Sequence, residues 1–269
     1  MVRTAAVTIG LWLVSGVVLA APDPPRGLVV TIVAEEDFLA GAVAAAGDAP
    51  VPEIEVAHVG RIGLRLTERP GRYDFVIAHV HAGPLRTLER EGVIGDRTLV
   101  FANGRALIGP SDDPAGISGA ASARDAARRL AAAGRCLVIP ARAGNVGGPP
   151  WAAASRCPVP AGAEHGAAAV RAARAAGGYA IWGLHPFVRA GIPDMVGFTL
   201  ADPALVRPLA LWTVAGSPKK DAVARLARQL RSVDAAEFID AFRLRGAPEL
   251  RAFWSVAAVD RIERAEPEE

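Results

Sequence analysis

The chain opens its patterned region with residues 27–33, Gly-Leu-Val-Val-Thr-Ile-Val, an unbroken β-branched run that suits a strand buried on both faces. Glu35, Glu36 and Asp37 end it, and an Ala-rich helical pattern covers 38–46. The same rhythm returns with strand patterns at 53–59 and 73–80, a short helix at 85–91, and an extended run at 98–108 that Asn103-Gly104 interrupts and Gly109-Pro110 closes. Beyond it the pattern restarts. Ser122 with Asp125 three residues on resembles a capping box for a helix over 123–133, stopped by Gly134. A strand at 136–139, a Gly/Pro-rich loop at 140–150 around Arg142, a helix at 163–176 and a strand at 179–182 follow. The chain then offers an extended run at 205–214, a helix at 221–230 and a last helix from Asp234 to near Gly246.

Strands alternating with helices argue for parallel α/β sheets. Two such blocks, 27–100 and 120–182, are joined by one extended run and followed by a returning one. This order predicts an α/β fold of two lobes linked by two hinge crossovers, with a ligand held between them. Lobe one is expected over 27–102 plus 209–262 and lobe two over 103–208, with hinges at 103–108 and 209–214. No internal repeat recurs at a fixed period.

The N-terminus adds a compartment. Arg3 precedes an apolar stretch at 5–19, and Val18-Leu19-Ala20 places small residues ahead of Ala21, as a cleaved secretory signal over 1–21 requires. The stretch falls short of the roughly 17–25 apolar residues that span a bilayer. The mature chain is therefore expected outside the cytoplasm with no stable membrane insertion. With 30 Lys and Arg against 28 Asp and Glu, the net charge of +2 gives no electrostatic grip for nucleic acid. An oxidising compartment makes a Cys136–Cys157 disulfide plausible, worth about 3 kcal/mol by chain entropy, although two separate thiols fit the sequence too.

Residues 103–119, Asn-Gly-Arg-Ala-Leu-Ile-Gly-Pro-Ser-Asp-Asp-Pro-Ala-Gly-Ile-Ser-Gly, resemble the crossover signature of tungstate-binding ABC transporter proteins. Tyr73-Asp74-Phe75 through Val80-His81-Ala82, Gly178-Tyr179-Ala180 and the helix over 236–242 are similar to further segments of that family in the same order. The likeness covers nearly all of the mature chain and is strongest over 109–117. It implies a type II periplasmic binding protein, a monomer without cofactor, that captures a tungstate- or molybdate-like oxyanion and hands it to a membrane permease. A compact anion needs hydroxyls, backbone N–H groups at helix N-termini and an Arg.

The resemblance also selects the candidate ligand-binding residues: Thr31, Ala34 and Glu35 in the first loop, Gly60 and Arg61 in the second, His81 after the third strand, and Arg142. The family fills the first loop with Thr and Ser, of which only Thr31 keeps a hydroxyl here. Glu35 instead supplies a negative charge, which at 4 Å would repel each unit of anion charge by about 4 kcal/mol at an effective dielectric near 20. Arg61 is placed to offset it. Two alternatives stay open: a divalent-metal pocket of Glu35, Glu36, His58 and His81, with His79 and His81 alternating along one strand, and a binding-protein fold without a tight ligand that serves as a sensory or interaction partner. Nucleophile-elbow, phosphate-loop and dinucleotide motifs are absent, so the sequence reads as a non-enzyme. His165 and His185 read as isolated, Asp112 and Asp113 as a turn, and Trp151 and Trp182 as core anchors in preference to cleft walls.

Overall fold

The computed structural model describes residues 23–47, 50–139 and 149–264. The expected signal at 1–21 and Arg142 lie outside the described residues. Parallel strands β1 (Arg26–Val29), β2 (Glu53–Val56) and β3 (Phe75–His79) alternate with helices α1 (Phe38–Ala45) and α2 (Ile62–Glu68). Helix α3 (Gly83–Arg90) then leads into β4 (Ile94–Pro110), a strand of 17 residues. Next come α4 (Ala123–Ala132), β5 (Cys136–Val138), β6 (Ser155–Arg156), α5 (Gly166–Ala175), β7 (Tyr179–Gly183), α6 (Leu184–Ala190) and β8 (Met195–Phe198). The chain returns through β9 (Val206–Val214) and closes with α7 (Lys220–Gln229), α8 (Val233–Ala241), β10 (Arg243–Leu244), β11 (Ala247–Arg251), β12 (Phe253–Ser255) and α9 (Val256–Arg264).

Two sheets share β4. The first runs β2-β1-β3-β9-β4, with β12 beside β4, and the second runs β6-β5-β7-β4-β8. Each sheet thus sets its three parallel strands in the order second, first, third, and then inserts one antiparallel strand that has crossed from the other side. β4 pairs with β9 as far as Gly104 and with β7 from Arg105 onward, so the first crossover falls inside the predicted 103–108. The return crossover departs from the expected 209–214. All of β9 pairs with β3 or β4 in the first sheet, which puts the crossing between Phe198 and Val206. The N–H of Arg105 donates to the Leu205 carbonyl at 2.8 Å and ties the two crossovers side by side.

The core of the first sheet is aromatic. Phe38 stacks on Phe253 with ring centroids 3.7 Å apart, and Phe101 and Phe242 meet both edge-on. A separate cluster around Leu107, Ile117, Leu130, Trp151 and Tyr179 fills the second lobe. Cys136 and Cys157 are joined there by a disulfide, two cysteines 21 residues apart in the sequence. Asp113 caps the turn at Ile117–Gly119: its carboxylate accepts the N–H groups of Ile117 and Ser118, both at 2.8 Å, and the Tyr179 hydroxyl at 3.2 Å. The turn reading of Asp113 therefore holds.

Two segments depart from the sequence pattern. The first strand ends at Val29, because residues 31–37 coil into a 3₁₀ turn in which Glu36 and Asp37 take left-handed φ of 47° and 59°. The last predicted helix stops at Ala241. Phe242 turns extended, and the Asp240 carboxylate takes the Arg251 guanidinium together with the Ser255 N–H and hydroxyl, which folds 243–255 back as strands instead of a helical turn. Among the described residues no helix is long and apolar enough to cross a membrane.

Candidate functional site

Strand register aims four polar side chains to one face. Asn103 on β4 stands opposite Arg207 on β9, and His79 at the end of β3 stands opposite Leu209, two residues along from Arg207. Side chains alternate between faces with a period of two, so His79, Asn103, Arg105 and Arg207 share a side. The opposite side carries Ala102 and Val206, which pack with Trp254 and Ala258. The four polar residues form the floor of a cavity of about 870 Å³.

Its electrostatics follow from this burial. Desolvation, followed by the Arg207 and Arg105 cations and His81, outweighs a hydrogen bond to Asn103 and drives His79 down to about 3, so its ring is neutral. A neutral ring with Nε2 2.9 Å from Asn103 Oδ1 donates N–H to that oxygen, leaving the Asn103 amide hydrogens for the cavity. Arg105 is lowered to about 10 by burial and then by the Arg207 charge, and burial alone lowers Arg207. Among the described residues, no anionic side chain offsets Arg207.

The walls come from loops and helix starts. Thr31 and Ile32 enter from the turn after β1, Ala57, His58 and Val59 from the turn after β2, and Gly166 from the first turn of α5. Gly183, His185, Pro186 and Arg189 arrive from the end of β7 and from α6, with Ile181 and Trp182 beside them. First-turn N–H groups have no partner within their own helix and favour an anion. Among the described residues, the lining holds Arg105, Arg189 and Arg207 and no Asp or Glu. Four of the chain's five histidines, His58, His79, His165 and His185, also line it.

No protein-family model matches the chain, and no curated protein sequence does. Solved structures do match. The tungstate binding protein TupA from Desulfovibrio alaskensis is 19% identical, with a TM-score of 0.59 over 87% of this chain and 99% of that one. A tungstate ABC transporter structure from Geobacter sulfurreducens is 20% identical, with a TM-score of 0.55 over 83% of this chain and 100% of that one. A substrate binding domain from Clostridium difficile, 10% identical, gives 0.55 over 81% and 96%. The fold is that of the type II periplasmic binding proteins. In that binding-protein fold the C-terminal ends of the parallel strands face the cleft, and here β1, β2, β3 and β7 deliver the lining just described.

The residues selected from sequence fall on both sides of the cavity wall. Thr31 lines it. Ala34 is half-buried and packs on the main core instead. Glu35 stands behind the wall. Its Oε1 lies 3.2 Å from the Arg189 guanidinium and 2.9 Å from His185 Nε2, linking the turn after β1 to α6. The His185 contact lacks the direction of a hydrogen bond, so that buried nitrogen has no hydrogen-bond partner. Gly60 turns its N–H to His58 Nδ1 at 3.2 Å, and the exposed Arg61 points elsewhere than the cavity, because the short turn at Val59–Arg61 presents only its start to the cleft. His81 sits past the end of β3 on an exposed turn, so it does not continue the alternation of His79. Glu36 is occupied by the Arg245 N–H. Glu35, Glu36, His58 and His81 therefore do not converge, and no three His, Cys, Asp or Glu among the described residues are grouped to hold a metal ion.

Sequence reasoning passed over Arg105, Arg207 and His185. The available signal was a charged residue inside an apolar strand run, since Arg is seldom buried without a reason. Trp182 is half-buried and walls the cavity, whereas Trp151 is a core residue at 1% exposure.

Proposed function

We propose that this protein is an exported solute-binding component that captures an anion between two lobes and delivers it to an ABC-type permease. The observation that carries this reading is a cavity lined by three arginines and no carboxylate among the described residues, inside a fold whose solved neighbours include tungstate-binding proteins. In this reading the lobes are 27–102 with 209–262, and 103–208. The chain works in the periplasm as a monomer and carries out no reaction of its own.

Arg207 is the anchor. A single buried charge-assisted hydrogen bond contributes about 1.5–3 kcal/mol, so Arg207→Gln weakens anion binding by roughly ten- to a hundred-fold. The test is thermal unfolding of the purified protein with tungstate, molybdate, sulfate, phosphate, simple organic acids and divalent metals. A saturating ligand at a hundred times its Kd adds about 2.7 kcal/mol. A rise in Tm with an anion that Arg207→Gln removes supports the reading. A response to metals alone transfers the site to a cation, and no response to any of them leaves a binding-protein fold that acts as an interaction partner.

A further inference from the structure

The cavity differs from what a bare tetrahedral oxyanion needs. Such an ion gains affinity only from donors, and Thr31 is the sole hydroxyl-bearing side chain in the lining among the described residues. Much of the remaining wall is apolar: Ile32, Val59, Ile181, Trp182 and Pro186. These groups give an inorganic ion nothing, but they desolvate an organic body at about 25 cal/mol per Å². The cavity's 870 Å³ lies in the range of roughly 300–1,000 Å³ typical of organic ligand sites. That volume is not simply a gap between parted lobes. Glu35 bridges from the turn after β1 to Arg189 on α6 at 3.2 Å, and Gly246 in the β10–β11 turn lies so near α6 that an added Cβ would come within 2.6 Å of Val188.

The polar and apolar parts are segregated as well. Arg207 and the Asn103 amide stand together on the floor, where β4 and β9 pair, while the half-buried Trp182 stands on β7. A planar guanidinium beside an amide suits the flat face of a carboxylate. Resting on the anion-capture reading above, we infer that the ligand is an organic carboxylate, its acid group held by Arg207 and Asn103 and its aromatic or branched apolar body laid against Trp182.

Isothermal titration of the purified protein with benzoate, indoleacetate and octanoate, beside acetate, tungstate, molybdate and phosphate, tests this. The organic carboxylates with apolar bodies are expected to bind at least ten-fold more tightly than acetate and than every inorganic anion. Arg207→Gln should weaken all of the carboxylates, and Trp182→Leu only those with an aromatic body. Both positions are half-buried, and circular dichroism and a melt verify that each variant is folded. Tungstate or molybdate binding more tightly than any carboxylate would overturn the inference and leave anion capture standing. Carboxylate binding untouched by both substitutions would place the ligand elsewhere and also overturn it. Binding of none of these anions would remove the capture reading, and this inference with it.

Discussion

His79 provides a measurable link between the buried floor of the cleft and the stability of the whole chain. Its pKa falls from 6.5 to about 3 on folding, chiefly through burial and then through the Arg207 charge. Between those two values the unfolded chain binds a proton that the folded chain refuses, so stability rises with pH there. The contribution is fully present above about pH 6.5 and is lost as pH falls towards 3. Between pH 7 and pH 4.5 the loss amounts to about 2.5 kcal/mol at 1.36 kcal/mol per unit. Other carboxylates and histidines titrate over the same interval, so the comparison is with His79→Gln, which keeps an N–H able to donate to Asn103 Oδ1 and cannot be protonated. Urea unfolding of both proteins at the two pH values yields the double difference. The wild type should lose about 2.5 kcal/mol more than the variant on acidification, within a factor of two. Equal losses would refute the argument that His79 is held neutral by desolvation, and with it the assignment of the Asn103 amide hydrogens to the cavity.

Three further outcomes follow from the geometry. An added methyl at Gly178 would lie 2.6 Å from Cys136 Sγ and 2.7 Å from Cys157 Sγ. Gly178→Ala should therefore cost about 1–3 kcal/mol with the disulfide formed and less after reduction, as denaturant melts with and without a thiol would register. Removal of the Asp113 carboxylate leaves the Ile117 and Ser118 N–H groups without their acceptor, so Asp113→Ala should destabilise by about 1–3 kcal/mol without altering anion affinity, checked by melts and titration side by side. Glu35→Ser releases Arg189, which lines the cavity and is 66% exposed, so stability should shift by less than about 1 kcal/mol while anion affinity rises. Unchanged affinity in that variant would show that Arg189 does not reach the bound anion.

Most of the architecture was readable from hydrophobic rhythm, because strands buried on both faces and amphipathic helices leave long, unambiguous patterns. The helix starting at Ser122 is an instance: its side chain accepts the Asp125 N–H at 3.1 Å, and Asp125 reaches back to the N–H of Ala121. The pattern was misleading where a few side-chain contacts override local preference. Residues 243–255 have no strong strand signal, and they pair because Asp240 collects three donors from Arg251 and Ser255. The 3₁₀ turn after β1 is invisible because its residues Thr31, Ile32 and Val33 are β-branched and read as strand.

The family resemblance carries the fold, while the residues it selects only partly meet the cavity. Its strongest stretch, 109–117, is fully committed to building the second lobe. Gly109 is the only residue type that fits under the Tyr179 ring, and Asp113 caps the following turn. The carbonyls of Gly116 and Gly119 are both held at 2.9 Å by Arg129. None of those residues lines the cavity. A motif of this kind carries the fold faithfully and is silent about the ligand, and the loop correspondences that selected Arg61 and His81 lead to exposed turns. The cavity's character is set instead by Arg105 and Arg207, two cations placed within the crossover strands where burial lowers both. Burying the Arg207 cation with no acidic side chain beside it among the described residues destabilises the empty protein. A bound anion relieves that cost, and so the same feature that destabilises the empty cavity favours its occupied form.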